Sequence, residues 1–115
     1  MKSLSIMLEI SIKEGLCFMN IQVLRVSASS NINAVSEAII EHASKDFIVH
    51  IDCIGVKAAY VTVKALIQAT EFLVKNSYKF NLRPYYIKVD TLTEEHDTIA
   101  KTAIRWTLIA KKKQY

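Results

Sequence analysis

The stretch Ile48–Lys75, IVHIDCIGVKAAYVTVKALIQATEFLVK, decides how the rest of the chain folds. Its beginning alternates. Phe47, Val49, Ile51 and Cys53 share one side, with His50 and Asp52 on the other, which predicts a strand over 47–54. Gly55 then supplies a turn, and a long helix follows from Val56 to Lys75. At 100° per residue, Lys57, Lys64, Gln68, Glu71 and Lys75 fall within a stripe roughly 60° wide. Outside it stand Ala59, Val63, Leu66, Ile67, Ala69, Thr70, Phe72, Leu73 and Val74. A surface helix usually buries an apolar stripe a little over about 100° wide. This helix carries more apolar surface than one sheet can cover, so it is expected to meet a second partner, most simply another copy of the chain. Leu66, Ile67, Phe72 and Val74 are the candidate dimer contacts, each worth roughly 1.5–3 kcal/mol when buried.

Upstream, residues 4–13 alternate strictly. Leu4, Ile6, Leu8, Ile10 and Ile12 lie on one face and Ser5, Met7, Glu9, Ser11 and Lys13 on the other, a strand pattern. Glu14-Gly15 offers a turn before a second extended run, Leu16 to Ser27, so the two can form a hairpin. A start of translation at Met19 is the competing explanation of the first stretch. The polar break SASSNIN (27–33) places Ser30 or Asn31 as the cap of a helix reaching about Ser44. That helix turns Val35, Ile39 and Ala43 inward and Asn33, Glu37, Glu41 and Ser44 outward, and Lys45-Asp46 closes it.

Downstream of the long helix, which ends near Asn76-Ser77, the run Leu82–Thr91 contains Pro84. Proline lacks a ladder donor, so it belongs at a strand start or an edge. An acidic loop, TLTEEHD (91–97), leads to a last strand, Ile99–Lys111, in which Ile104, Trp106 and Leu108 alternate with Arg105, Thr107 and Ile109. The order β(β)αβαββ predicts an α/β two-layer sandwich with a mixed sheet. Its first strand–helix–strand unit is parallel, its last two strands form a hairpin, and its helices cover one face. His50, Asp52 and Arg105 then stand on the open face, exposed or paired.

Composition narrows the classes. The chain has 115 residues, enough for one domain, with 51% hydrophobic residues and only two Gly and one Pro. Fifteen basic against eleven acidic residues leave a net charge of +4, which permits an anionic partner without requiring one. Cys17 and Cys53 match no metal spacing and fit a reduced, cytoplasmic protein. No apolar run reaches the ~20 residues of a membrane span. Lys2 followed by LSIML hints at a secretory leader, but Glu9, Lys13 and Glu14 interrupt it and no small-residue cleavage site follows.

Three segments, in this order, carry a resemblance. LRVSASSNINAVSEAI (24–39), IGVKAAYVTVKA (54–65) and TAIRWTLI (102–109) resemble the bacterial stage V sporulation protein S family, which is in turn similar to Alba, the archaeal chromatin protein. The resemblance covers about residues 21–112. Residues 1–20 are then an N-terminal extension adding a strand beside an exposed edge, and 21–115 an Alba-like domain. It implies a βαβαββ sandwich, dimerisation and a nucleic-acid-binding role. The chain departs from the family at Ser29, where a Lys is usual, and at Lys57, where a small residue is usual. Alba's basic hairpin tip is replaced by Glu94, Glu95 and Asp97, which repel phosphate.

The candidate chemistry is phosphate binding. Ser29, Ser30 and Asn31 precede a helix N-terminus, where N–H groups and the dipole attract anions, although plain N-capping accounts for the same residues. Lys57 sits where a cation is unfavourable to the helix dipole, and Lys64 follows two turns later on the same stripe. Arg25 and the run Lys111, Lys112 and Lys113 add charge, the run serving if it projects beside Lys57 and Lys64. Trp106, Tyr85 and Tyr86 have faces for base stacking but sit at strand spacing, where core or interface roles prevail. His50 with Asp52 lacks the further parts of an active site, and His42 and His96 form no metal set. The sequence therefore reads as a non-enzymatic, cofactor-free homodimer that contacts DNA or RNA, with no metal, no small-molecule substrate and no membrane partner. The alternative is a protein-interaction scaffold using the apolar helix or the N-terminal strand.

Overall fold

The computed structural model describes residues 4–7, 20–92 and 98–113. Seven elements follow one another: β1 (Leu4–Met7), β2 (Asn20–Val26), α1 (Ile32–Ala43), β3 (Ile48–Cys53), α2 (Val56–Lys75), β4 (Tyr78–Leu92) and β5 (Thr98–Lys112). The strands form one mixed sheet in the order β1-β2-β3-β5-β4. β2 and β3 are parallel, as their α1 crossover requires, and the other pairs are antiparallel. The expected βαβαββ order is present, with β1 added beside β2 through Leu4↔Val23 to Met7↔Asn20. The expected continuation of the first strand over 8–13, the Glu14-Gly15 turn and Met19 lie outside the described residues.

Both helices pack on one face of the sheet. Leu24, Val49, Ile51 and Leu108 from the strands meet Val35, Ile39 and Ala43 of α1 and Ala65, Leu66, Ala69 and Leu73 of α2 in a single core. Asn31 caps α1: its Oδ1 accepts the Ala34 N–H at 3.0 Å. A residue with positive φ follows each helix, Asp46 at 65° after α1 and Ser77 at 66° after α2, a conformation for which glycine is the usual choice.

The last hairpin departs from expectation in one respect. β4 begins at Tyr78 rather than near Leu82, because Tyr78, Phe80 and Leu82 alternate onto the core. Pro84 lies in mid-strand, and β4 is a sheet edge, the second of the two places expected for it. β3 pairs with β5 only from Val49↔Leu108 to Cys53↔Ile104, whereas β4 pairs with β5 from Tyr78↔Lys112 to Leu92↔Thr98. The two strands therefore run about 20 Å past the end of β3 as a two-stranded arm. The acidic residues 93–97 of its tip lie outside the described residues.

Candidate nucleic-acid interface

The carboxyl ends of the parallel strands lie side by side, Val26 opposite Cys53, so both strand-to-helix turns and both helix N-termini share one end of the sheet. The first turn is internally satisfied. The Ser27 N–H donates to Ser30 Oγ at 2.9 Å, Ser27 Oγ lies 3.1 Å from Ser29 Oγ and 3.2 Å from Ser30 Oγ, and Asn31 caps the helix. Of the two readings of Ser29, Ser30 and Asn31, capping is visible. The second turn is different. Gly55 has φ +93° and no side chain caps α2, so its first N–H groups are open at the end that carries exposed Lys57. A Cβ on Gly55 would meet nothing within 4 Å; glycine is required there by the backbone angle and not by space.

The polar stripe of α2 is exposed at Lys57, Lys64, Gln68, Glu71 and Lys75. Lys64 Nζ lies 5.0 Å from the Tyr60 ring centroid. The C-terminal lysines do not project beside Lys57 and Lys64. β5 runs antiparallel to β3 and ends at the opposite end of the sheet, where the Lys113 N–H donates to Ser77 O at 2.7 Å. There Lys111 stands opposite Lys79, and Lys112 Nζ lies 5.3 Å from the Tyr78 ring. From Lys57 to Lys75 the helix rises about 27 Å, and Lys79 with Lys111 stands on the open face, across the sheet from that stripe. Arg25 is exposed on the open face, across the sheet from the helices, in register with Asp52. Among the described residues, Arg25, Lys57, Lys75, Lys79, Lys101, Lys111 and Lys113 have no carboxylate within ion-pair distance. Lys79 and Lys101 were missed in the sequence because each is a singleton whose neighbours depend on strand register.

The open face holds two paired sets. Arg105 donates from Nε to Asp52 Oδ1 at 2.7 Å and from Nη2 to Asp52 Oδ2 at 2.8 Å. This hydrogen bonding, opposed by partial burial, raises the guanidinium's pKa. His50 Nδ1 lies 2.9 Å from Thr107 Oγ1, which lies 2.8 Å from Tyr85 Oη. Burial first, then the nearby Arg105 charge, lower the His50 pKa against the pull of Asp52. The carboxylate that an acid–base pair would use is thus committed to Arg105. Burial likewise pushes the Cys53 thiol up. Among the described residues no three His, Cys, Asp or Glu side chains cluster to hold a metal, and no helix is long and apolar enough to cross a membrane.

The candidate dimer residues separate. Leu66 is 3% exposed and belongs to the protomer's own core, so it has no surface to offer a partner. Phe72 is exposed but lies about 160° around α2 from Val56 and Val74. Ile67 and Val74 remain, and they share a row with Val56, Tyr60, Val63 and Thr70. The spacing 4-3-4-3-4 is that of a coiled-coil seam. Val56 is 87% exposed, Tyr60 62%, Val63 39%, Ile67 54% and Val74 60%. Of the three aromatic candidates, Trp106 packs partly buried on the core, while Tyr85 and Tyr86 are exposed.

With this geometry in view, comparison with protein families is decisive. The description "Stage V sporulation protein S" matches over residues 22–111, from the third residue of β2 almost to the end of β5. The chain belongs to the stage V sporulation protein S family. No curated protein matches it. The stage V sporulation protein S match takes in both strand-to-helix turns, all of α2 and the arm, and begins after β1.

Proposed function

We propose that the protein is a non-enzymatic regulatory factor of sporulation that binds nucleic acid as a homodimer, through backbone phosphates and with little sequence preference. The observation that carries this reading is the α2 stripe. Lys57, beside uncapped N–H groups, begins a line of exposed cations that continues through Lys64 to Lys75. Glu71 is the one carboxylate on the stripe. A line about 27 Å long spans about eight phosphates of one strand. Arg25, on the other face, and the Ser29–Asn31 turn lie at the margin of this track and contribute less.

The apolar row of α2 supplies the dimer. Its spacing is self-complementary, so a second copy of the same helix is the partner that fits it. A filter-binding titration tests the reading, with binding at low salt that weakens steeply as salt rises. Absence of binding at low salt would remove it. The second reading, a protein-interaction scaffold, draws on the same apolar row and is favoured by Glu94, Glu95 and Asp97, which repel phosphate. Partners that survive nuclease treatment, together with no affinity for DNA or RNA, would put it in place of the first.

A further inference from the structure

The open face of the sheet carries a charge surplus of its own. The unbroken pairing of β4 with β5 puts Lys79, Asn81, Arg83 and Tyr85 on the same side as Thr107, Ile109 and Lys111, away from the helices. Among the described residues of the strands, this side has one carboxylate, Asp52, and Arg105 donates to both of its oxygens. Lys79, Arg83 and Lys111 are exposed there without an ion pair among the described residues. A depression of about 580 Å³ on this side is lined by Asn81, Arg83, Tyr85, Thr107 and Ile109. It adjoins a second, which runs past Asn81 and Ile109 to Lys79 and Lys111. Tyr85 Oη lies 2.8 Å from Thr107 Oγ1, which lies 2.9 Å from His50 Nδ1, so the exposed ring is tied to the neighbouring strand.

Cations alone suit any polyanion. An aromatic ring in line with them suits an unpaired nucleic-acid strand, because every base has a π-face to lay on the ring while the phosphates between bases meet the positive side chains. Stacking on the face of a sheet needs bases that are splayed out, so a duplex cannot use it. Arg83 and Lys79 stand four residues apart on β4, about 13 Å, and so meet different phosphates of such a strand. Resting on the nucleic-acid reading above, we infer that the open face of the β4–β5 pair is a second binding surface, selective for single strands. One base stacks on Tyr85, and the phosphates next along the strand are held by Arg83 and then by Lys79 with Lys111. The α2 stripe, on the opposite side of the sheet, contacts phosphates of single strands and duplexes alike.

Fluorescence anisotropy on the full chain compares labelled oligothymidylate with a labelled duplex of the same length. Tyr85→Ala weakens the single strand about tenfold, the loss expected for one stacked base, and leaves duplex affinity within about twofold. Tyr85→Phe keeps single-strand affinity within about threefold, because the ring remains although its bond to Thr107 is gone. Arg83→Gln, on the exposed surface, makes the salt dependence of single-strand binding shallower by about 0.7 and does not change that of the duplex. Equal weakening of both ligands by Tyr85→Ala, or a single-strand affinity that neither Tyr85→Ala nor Arg83→Gln alters, overturns the inference. If duplex binding is then still weakened by Lys57→Glu, the α2 reading stands without the second surface. No binding of either ligand at low salt overturns both.

Discussion

Ile67→Glu tests the α2 row most cleanly. Ile67 is 54% exposed in the protomer, so about half of its side-chain burial, roughly 1 kcal/mol, remains to be gained on pairing. A twofold interface loses that twice. A glutamate placed there must also leave water, at a cost of several kcal/mol per ion unless it finds a partner. A combined loss of at least about 4 kcal/mol weakens dimerisation about a thousandfold. The fold itself is spared, because an exposed helix position costs within about 0.5 kcal/mol. Light scattering after size exclusion reads the result. The wild type runs at twice 13.0 kDa and Ile67→Glu at 13.0 kDa with an unchanged circular dichroism spectrum. Gln68→Glu, one residue on but in the polar stripe, keeps the double mass. A wild type that is monomeric at every concentration, or an Ile67→Glu variant that keeps the double mass, refutes the seam.

Three further outcomes follow from the pairing on both faces. Arg105→Leu strands the buried Asp52 carboxylate and costs about 3 kcal/mol, or about 10 °C in Tm, whereas Asp52→Ala costs less because the Arg105 side chain is 25% exposed and can hydrate; equal losses in thermal denaturation contradict the asymmetry. His50 has its folded pKa below 6.5, so the unfolded chain binds the proton more readily; the resulting stability is full above pH 6.5 and is lost as pH falls toward the folded value. Urea titrations from pH 7.5 to 5 show this slope in the wild type and a shallower one in His50→Gln, and identical slopes contradict it. Lys57→Glu weakens nucleic-acid binding at low salt and makes the salt dependence shallower by about one unit per engaged protomer; an unchanged slope removes Lys57 from the interface.

Much of the architecture was readable because period and punctuation agreed. The alternation of 47–54, the glycine at 55 and the unbroken helical run to Lys75 leave one interpretation, and Asn31 announces α1. The helical wheel could not assign the faces of α2. Leu66, Ile67, Phe72 and Val74 are equally apolar, and only the position of the sheet shows that Leu66 faces inward while Ile67 and Val74 face out. The start of β4 was hidden because Tyr78, Phe80 and Leu82 alternate with Lys79 and Asn81 directly after a helix end, without a glycine to mark the change. The separation of Lys111–Lys113 from Lys57 depends on strand direction, and Asp52–Arg105 joins residues 53 positions apart. Pairings at that range come from register and not from local pattern.

The account rests on α2 presenting phosphate-binding lysines, and the salt dependence of nucleic-acid affinity tests this directly. With about four phosphates neutralised per dimer, a plot of log K against log salt falls with a slope of about −3 to −4. A flat plot, or no binding at low salt, contradicts it.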